Sequence, residues 1–443
     1  MRPSTSFSGV ATSASSALLV ALLVSGCASS GRAGSSQGEG ADAGGVRALV
    51  AGRETWLPPL ADGDVGVALR ADRLLTMNDE DEIFDPGMLL ARNGRIEYVG
   101  PPIDVPEGFA VEDHGSAWIS PGMVDLHSHI HGNGWGDLND MVLPINAELS
   151  SRPVVVPANA AMRRACAGGV TTIFAIPGSG TSIGGFGVLV KTKTEATYED
   201  IVLRDPGGMK VAQNFNPQRG AGDLGNSWSG LSWILEDAND RAIAALREGR
   251  EDPRMANLMR VHAGELPVLI HCASGEGVAN TVRMWKGDYG TDCVVSHGSW
   301  DGWYAADFAA ELGVPVNHGP RTMNFTSARR EDRIVGTAAE YVKAGVPLFS
   351  LNTDAGVIPQ EELFLQGSMS ARLGADSYEM LRAVTIHPAR SFQIGDRVGS
   401  LEVGKDADIV VSSGDPLDPR SRVELVLIDG DVQYERDQDG QWF

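Results

Sequence analysis

Eight short apolar segments lie in the middle of this 443-residue chain, and they constrain its fold more than any other feature. Each is typical of a buried strand, and most follow a helix-like stretch such as 158–167 or 305–312, although the link between the third and fourth is less clear. The segments are Met123–His127, Thr172–Ile176, Val188–Lys191, Met209–Gln213, Val268–His271, Cys293–Ser296, Val314–Val316 and Leu348–Asn352. Eight strand-then-helix units predict an α/β fold, a closed parallel (β/α)8 TIM barrel over residues 121–395. A doubly wound open sheet is the alternative, but polar residues at the ends of several strands favour the barrel.

Short strands with turn signals also occur at both ends of the chain. The pairs Asn93-Gly94 and Asp429-Gly430 each separate two β-like runs, as in a hairpin. Two β-rich pieces from opposite ends can pair only if the middle of the chain returns on itself. We therefore expect residues 54–120 and 396–443 to form a small β-sandwich beside the barrel.

The N-terminus has the pattern of an export signal. An apolar run from Ala17 to Val24, too short to span a bilayer, leads into Ser25-Gly26-Cys27. Val-Ser-Gly-Cys resembles a bacterial lipobox, which predicts a lipoprotein signal peptide over residues 1–26 and lipidation of Cys27. The alternative is an ordinary signal peptide with a chance cysteine. Residues 27–53 are rich in Gly, Ala and Ser and predict a flexible tether. We expect an exported protein, lipid-anchored to the bacterial cell envelope.

Charge and cysteine content narrow the possible partners. A net charge of −22 argues against nucleic acid and anionic membrane surfaces, which need clustered Lys and Arg, so any membrane contact is expected through the lipid anchor alone. Cys166, Cys272 and Cys293 are too few for a disulfide framework and are interpreted as small buried residues. The expected partners are therefore a small-molecule substrate and, in a possible homo-oligomer, further copies of the same chain.

The string Ser120-Pro121-Gly122-Met123-Val124-Asp125-Leu126-His127-Ser128-His129 is the strongest chemical signal. On a strand, His127 and His129 lie on one face, about 6.5–7 Å apart along it. Two imidazoles presented together can supply half of the coordination shell of one divalent cation. A hydrogen-bonded polar pair is the alternative, which the position at the start of an eight-strand pattern disfavours.

Three further residues stand at the ends of later predicted strands. His271 and His297 each end an apolar run, and Asp354 follows the last one. One such histidine alone is best interpreted as a core residue, but two on consecutive strands downstream of His-x-His predict a metal site. Asp354 beside a metal-held water can accept a proton and deliver it to a leaving amine; its alternative role is a helix cap.

Weaker signals follow the sixth and seventh predicted strands. His318 and Arg321 are candidates for holding a substrate carboxylate, with a loop salt bridge as the alternative. Trp300, Trp303 and Tyr304 are interpreted as core packing, with a pocket lining as the alternative.

Taken together, these motifs and the segment Gly404-Lys405-Asp406-Ala407-Asp408 resemble the amidohydrolase superfamily, closest to its imidazolonepropionase-like and prolidase-like branch. The resemblance covers roughly residues 65–434. It implies a barrel with a β-sandwich from both chain ends and usually zinc, here most simply two Zn²⁺ ions. It also implies that His127 and His129 bind one metal, His271 and His297 the second, and that Asp354 is ligand and base.

Relatives with two metals often bridge them through a carboxylated lysine on the fourth strand. Two cations about 3.5–4 Å apart repel, so an anionic bridge is needed. Lys210 matches that position best and is the predicted bridge; Lys191 is the competitor and otherwise a weak substrate-binding candidate.

The predicted function is hydrolysis of an amide C–N bond in a small molecule, such as a dipeptide or an N-acyl amino acid, by metal-activated hydroxide. Opening of a cyclic amide, as in imidazolonepropionase, and deamination of a heterocycle are the alternatives. Deaminases of the superfamily usually place a Glu shortly after the fifth-strand His, whereas here Glu276 lies further along. A non-catalytic barrel that only binds is disfavoured because every ligand position is retained.

Overall fold

The secondary structure of the chain is described by a computed structural model over residues 44–132, 139–219, 227–324 and 332–443. The strands in these ranges are β1 Val46–Val50, β2 Arg53–Leu57, β3 Gly66–Ala71, β4 Arg73–Leu75, β5 Ile83–Phe84, β6 Gly87–Arg92, β7 Arg95–Gly100, β8 Ala110–Asp113, β9 Trp118–Pro121, β10 Met123–Ser128, β11 Val170–Ala175, β12 Ile183–Lys191, β13 Val202–Ala212, β14 Val268–Ala273, β15 Cys293–Ser299, β16 Val316–His318, β17 Met323–Asn324, β18 Val335–Gly336, β19 Ser350–Leu351, β20 Ile409–Ser412, β21 Val423–Ile428 and β22 Asp431–Glu435.

The α-helices in the same ranges are α1 Ala160–Ala167, α2 Tyr198–Ile201, α3 Trp228–Glu248, α4 Ala256–His262, α5 Gly275–Thr281, α6 Ala306–Glu311, α7 Thr337–Lys343, α8 Leu363–Arg372, α9 Ser377–Ala383, α10 Ile386–Ser391 and α11 Arg436–Asp439. None of these helices is both long and apolar enough to cross a bilayer.

Eight strands from the middle of the chain form one sheet in the order β10-β11-β12-β13-β14-β15-β16-β19. They correspond to the eight predicted apolar segments. The two edges of the sheet meet where Ser128 forms a parallel bridge with Ala355, and the His129 N–H donates to the Ala355 carbonyl over 2.6 Å. The sheet is thus nearly closed, as in a TIM barrel.

One strand departs from the predicted all-parallel arrangement. β12 pairs antiparallel with both β11 and β13, whereas the other neighbours pair parallel. Only residues 176–182 separate β11 from β12, and a parallel crossover needs a dozen residues or more. The prediction of eight strand-then-helix units was therefore wrong at the third strand, and the C-terminal end of β12 lies at the opposite end of the barrel from those of its neighbours.

Strand alternation separates the barrel interior from its helix-covered outside. On β14, Leu269 belongs to an inner cluster with Phe174 and Phe392. Its neighbours Ile270 and Cys272 belong to the outer cluster that includes residues of the surrounding helices. His271, two residues after Leu269, is therefore on the inner face, and Cys272 points away from it as predicted.

Strands from both chain ends share one sheet outside the barrel. Its order is β22-β21-β20-β9-β4-β5, and a separate four-stranded sheet has the order β7-β6-β3-β8. Leu69 and Leu89 of the second sheet lie in one buried cluster with Leu74 and Ile409 of the first.

The predicted tether of residues 27–53 extends too far. β1 and β2 form an antiparallel hairpin whose register pairs Val50 with Arg53. The connecting Ala51 and Gly52 both have positive φ, 46° and 74°, which suits a tight two-residue turn. The Gly- and Ser-rich composition of the preceding residues was wrongly extended over this hairpin. The predicted signal segment and Cys27 lie outside the described residues.

Candidate metal centre

Four predicted ligand histidines come together at one end of the barrel. The ring centroids of His127 and His129 are 5.1 Å apart, those of His127 and His297 are 4.3 Å apart, and those of His271 and His297 are 4.6 Å apart. All four side chains are buried. The strand ends therefore bring residues up to 170 positions apart into one cluster, as the sequence predicts.

Asp354 lies against the first pair of histidines. Its Oδ1 is 3.3 Å from His127 Nε2 and 3.4 Å from His129 Nε2. These three residues offer ligand atoms that all lie within 4.8 Å of one another. Burial raises the pKa of Asp354, but its interactions with His129 and His297 outweigh this effect and hold the pKa below its ordinary value. The carboxylate is therefore ionised, as a metal ligand must be.

Backbone carbonyls fix the orientation of two of the imidazole rings. His129 Nδ1 is 3.1 Å from the Ile176 carbonyl, and His297 Nδ1 is 3.0 Å from the Gly319 carbonyl. A carbonyl only accepts, so each Nδ1 carries a proton, and in the neutral form of such a ring Nε2 is the atom that can bind a metal. Moreover, His297 Nε2 is buried without a hydrogen-bond partner among the described residues. An orphaned buried nitrogen of this kind fits a site that takes a divalent metal.

Burial keeps the imidazoles of His127 and His297 neutral. It lowers the pKa of His127 well below its usual range, and the neighbouring His297 and Lys210 lower it further. Burial is also the main reason that the pKa of His297 is lowered. Neutral imidazole is the form that binds metal ions, so the donor set fits the predicted divalent cation.

Left-handed backbone at His297 changes the side-chain alternation of β15. Its φ is 72°, and the residue before it, Ser296, also faces the cluster, since Ser296 Oγ lies 2.7 Å from His127 Nδ1. Consecutive residues of a regular strand point to opposite faces, so this kink allows both residues to face the interior. The strand pattern alone does not predict it.

Lys210 is buried on β13, next to β14. Its Nζ donates to Ser179 Oγ over 2.8 Å. Burial lowers the pKa of Lys210 to about 7, against the opposing effect of Asp354. An amine that is partly neutral near pH 7 can act as a nucleophile, so Lys210 has the chemistry that carboxylation requires.

Lys191 lies elsewhere, and its prediction as a bridging or substrate-binding residue was wrong. Its Nζ donates to Asp406 Oδ2 over 2.7 Å and Asp408 Oδ1 over 2.9 Å, and it also pairs with Asp429. The cause is the reversed direction of β12, which carries Lys191 to the far end of the barrel. There it joins the barrel to the sheet that contains β20 and β21.

The prediction of His318 as a substrate ligand was also wrong. Its Nδ1 lies 2.6 Å from the His297 carbonyl, and its Nε2 lies 2.7 Å from Thr337 Oγ1. Burial is the main reason that its pKa falls to about 4. Both ring nitrogens are engaged in the barrel wall, so neither can hold a substrate carboxylate. Arg321 is exposed and lines a cavity with Met369 and Asp418, which does not include the four histidines.

Sequence reasoning missed the role of Asp125. Its Oδ1 accepts from the His127 N–H over 2.8 Å, and its Oδ2 accepts from Thr353 N over 2.9 Å, Thr353 Oγ1 over 2.7 Å and Gln360 Nε2 over 2.6 Å. Burial raises its pKa to about 6. Asp125 thus ties the strand of His127 to the segment that carries Asp354. Its place in the string before His127 was the available signal.

Known proteins resemble this chain over most of its length. The chain matches the family described as Amidohydrolase family over residues 251–434. It is 30% identical to an amidohydrolase of known structure from Thermotoga maritima, with a TM-score of 0.75, covering 84% of this chain and all of that one. It is 26% identical to the imidazolonepropionase of Sphingopyxis alaskensis, over 83% of this chain and 96% of that one.

A longer relative shares the same region. Amidohydrolase tasK of Hapsidospora irregularis is 26% identical over 402 residues, which are 79% of this chain and 40% of that protein. The chain therefore spans less than half of that relative's length. The chain belongs to the amidohydrolase superfamily and is a hydrolase acting on carbon–nitrogen bonds.

Proposed function

We propose that this protein hydrolyses the amide bond of a small linear substrate, a dipeptide or an N-acyl amino acid, with two divalent metals, most simply Zn²⁺. The observation that carries the proposal is the contact of Asp354 Oδ1 with the Nε2 atoms of both His127 and His129. It places an ionised carboxylate against two imidazoles, and that set suits both metal binding and proton transfer.

Each residue of the site has a defined task in this proposal. His127 and His129 hold one metal, and His271 and His297 hold the second. A bound divalent cation supplies Lewis acidity, which polarises the scissile carbonyl and lowers the pKa of water. Asp354 takes the proton of the attacking water and passes it to the leaving nitrogen.

Lys210 supports the two-metal form of the proposal. Its amine is buried, and its charge lowers the pKa values of both His127 and His297. Carboxylation would replace this cation with an anion at the place where two metal ions repel each other. We propose Lys210 as the bridging ligand.

A cyclic amide is the second candidate substrate. Imidazolonepropionase from Sphingopyxis alaskensis is similar over almost its full length, and its name implies action on a ring amide. Deamination is less well supported, because Glu276 lies exposed in the first turn of α5. It follows His271 by five residues, further than the deaminase pattern expects.

Metal counting and product analysis test the proposal together. The purified protein is expected to hold two metal equivalents and to release amine from dipeptides or N-acyl amino acids. Asp354→Asn should lower kcat by about 10²- to 10⁴-fold with the fold intact by circular dichroism. One metal with ammonia release would support a deaminase, and ring opening without peptide cleavage would support the cyclic amide.

Two further proposals concern the rest of the chain. We propose that residues 54–120 and 396–443 form a β-sandwich domain beside the barrel of residues 121–395, supported by the shared cluster around Leu74 and Ile409. We also propose that the protein is exported and lipid-anchored at Cys27, on the sequence pattern before that cysteine. Cys27→Ser should release the protein from the membrane fraction of the expressing bacterium.

A further inference from the structure

Three aromatic side chains form a partly exposed cluster, Phe215, Trp228 and Trp300, which we name the aromatic wall. The Phe215 ring lies 4.4 Å from that of Trp300 and 5.7 Å from that of Trp228 by centroid, nearly perpendicular to both. Trp300 is 51% exposed, and Phe215 and Trp228 are partly buried. The interpretation of Trp300 as core packing was therefore wrong, because a core residue would not be half exposed to water.

The aromatic wall stands at the same end of the barrel as the metal centre. Phe215 follows the C-terminal end of β13, the strand of Lys210, and Trp300 directly follows that of β15, the strand of His297. These strands run in the same direction, so their C-terminal ends share one rim. Tyr304, 60% exposed and stacked on Trp303, follows on the β15 side.

Specific contacts hold the wall in place. The Gln218 side-chain oxygen accepts from the Phe215 backbone N–H over 3.1 Å and from Trp228 Nε1 over 3.0 Å. One amide thus fixes two of the three aromatic residues. Trp228 is the first residue of α3, whose start is capped by Ser227 Oγ accepting from the Gly230 N–H. The rings are therefore positioned before any ligand arrives.

Strained backbone presents two of the rings. Phe215 has φ 63° and Trp300 has φ 62°, in the left-handed region that bulky residues rarely adopt. Such conformations cost about 1–3 kcal/mol each and persist where the surrounding structure enforces them, often at ligand sites. The cost is incurred here for two aromatic residues that remain partly in water.

We propose that the aromatic wall binds an aromatic or large aliphatic group of the substrate, so that the preferred substrates are dipeptides or N-acyl amino acids that carry such a group. This inference rests on the proposed function, since it assigns the specificity of the same site. Apolar burial and edge-on ring contacts supply the affinity, while the metal centre acts on the amide. Phe215, Trp228 and Trp300 bind and orient the substrate without entering the chemistry.

Substrate pairs that differ only in the side chain test the proposal. The wild type should hydrolyse N-acetyl-phenylalanine or Gly-Phe faster than N-acetyl-glycine or Gly-Gly. In Trp300→Ala, kcat/KM for the phenylalanine compound should fall about tenfold through KM, while that for the glycine compound changes less than about twofold. A merely structural role would lower both equally, which would overturn the proposal.

Trp233 offers a matched control. It is 54% exposed on α3, and the buried positions of that helix, such as Leu231 and Ile234, lie on another face. Trp233→Ala removes an equally exposed indole and should leave the ratio of the two substrates unchanged. Phe215→Leu should lower the phenylalanine preference less than Phe215→Ala does, since leucine keeps part of the apolar surface.

Measurements of ligand binding test the aromatic wall even if the proposed amide hydrolysis is wrong. If the wild type cleaves no member of the panel, the amidase proposal fails, and calorimetry with N-acetyl-phenylalanine and N-acetyl-glycine still tests the wall. Tighter binding of the phenylalanine compound, lost in Trp300→Ala, supports it. Equal binding of both compounds, or self-association of the wild type that Trp300→Ala abolishes without any substrate preference, refutes it.

Discussion

Replacement of Lys191 by methionine tests whether this residue stabilises the fold through its ion pairs. The Lys191 side chain is only 3% exposed and contacts three carboxylates. After the substitution, Asp406 still has an ion pair with Arg397, and Asp429 still has one with Lys193. The charge left without a compensating cation is that of Asp408, which is also buried.

The expected cost follows from that unpaired charge. Removal of one partner from a buried ion pair costs about 3–5 kcal/mol. Unfolding entropy is roughly 2.1 cal/mol/K per residue, which gives about 0.8 kcal/mol/K for residues 44–443. A loss of about 4 kcal/mol therefore lowers Tm by about 5 °C. Differential scanning calorimetry of Lys191→Met beside the wild type measures this shift.

The stability that Lys191→Met loses relative to the wild type should depend on pH. Burial raises the pKa of Asp408 although Lys191 lowers it, so loss of Lys191 raises it further. The folded carboxyl then becomes neutral at a pH where the unfolded one, with an ordinary pKa of about 3.9, is still ionised. Protonation removes the penalty of the unpaired charge, and the deficit should shrink as pH falls from 8 to 5.

Two further variants decide whether this reasoning is correct. Adding Asp408→Asn to Lys191→Met removes the stranded charge and should restore part of the lost Tm. Lys193→Met, at a less buried lysine that shares Asp429, should cost much less. A Lys191→Met protein as stable as the wild type, or a double variant less stable than the single one, would refute the assigned role.

Other residues of the barrel give separate predictions. Lys210→Met should reduce bound metal from two equivalents to one or fewer, measured by plasma mass spectrometry; unchanged metal content would exclude Lys210 as the bridge. Asp125→Asn should lower the free energy of unfolding by about 1–3 kcal/mol in urea and also lower kcat, because three of its hydrogen bonds hold the segment of Asp354. His318→Gln should lower Tm through its two lost or weakened bonds but leave KM unchanged. A large rise in KM for His318→Gln would restore it as a substrate ligand.

The sequence was informative where side-chain chemistry and strand ends coincide. All eight barrel strands were located, since each is a short apolar run bounded by polar or turn residues. His127, His129, His271, His297 and Asp354 were found because they stand at the ends of those runs. The alternation that places His271 inward and Cys272 outward follows directly from the twofold repeat of a strand.

The errors arose where long-range pairing decides the outcome. An apolar segment such as Val188–Lys191 has the same pattern whether it pairs parallel or antiparallel, so the reversal of β12 and the displacement of Lys191 were not apparent. His318 was misassigned because a polar residue at a strand end can pack within the barrel wall instead of facing the open end of the barrel. The left-handed φ values of Phe215 and Trp300 have no signal in the residue types themselves.

The junction between β10 and β19 has a consequence for how this protein can vary. In the part of the chain that the structure describes, the two sheet edges meet at the Ser128–Ala355 bridge just after β19, and the side chain of Asp125 adds hydrogen bonds to Thr353 and Gln360 across the same gap. Asp354 and the His127–His129 pair face each other across the same junction. The residues that close the barrel are thus next to the residues proposed for catalysis. A substitution of Asp125 therefore affects both stability and activity, and we expect mutational tolerance to be lowest along this junction.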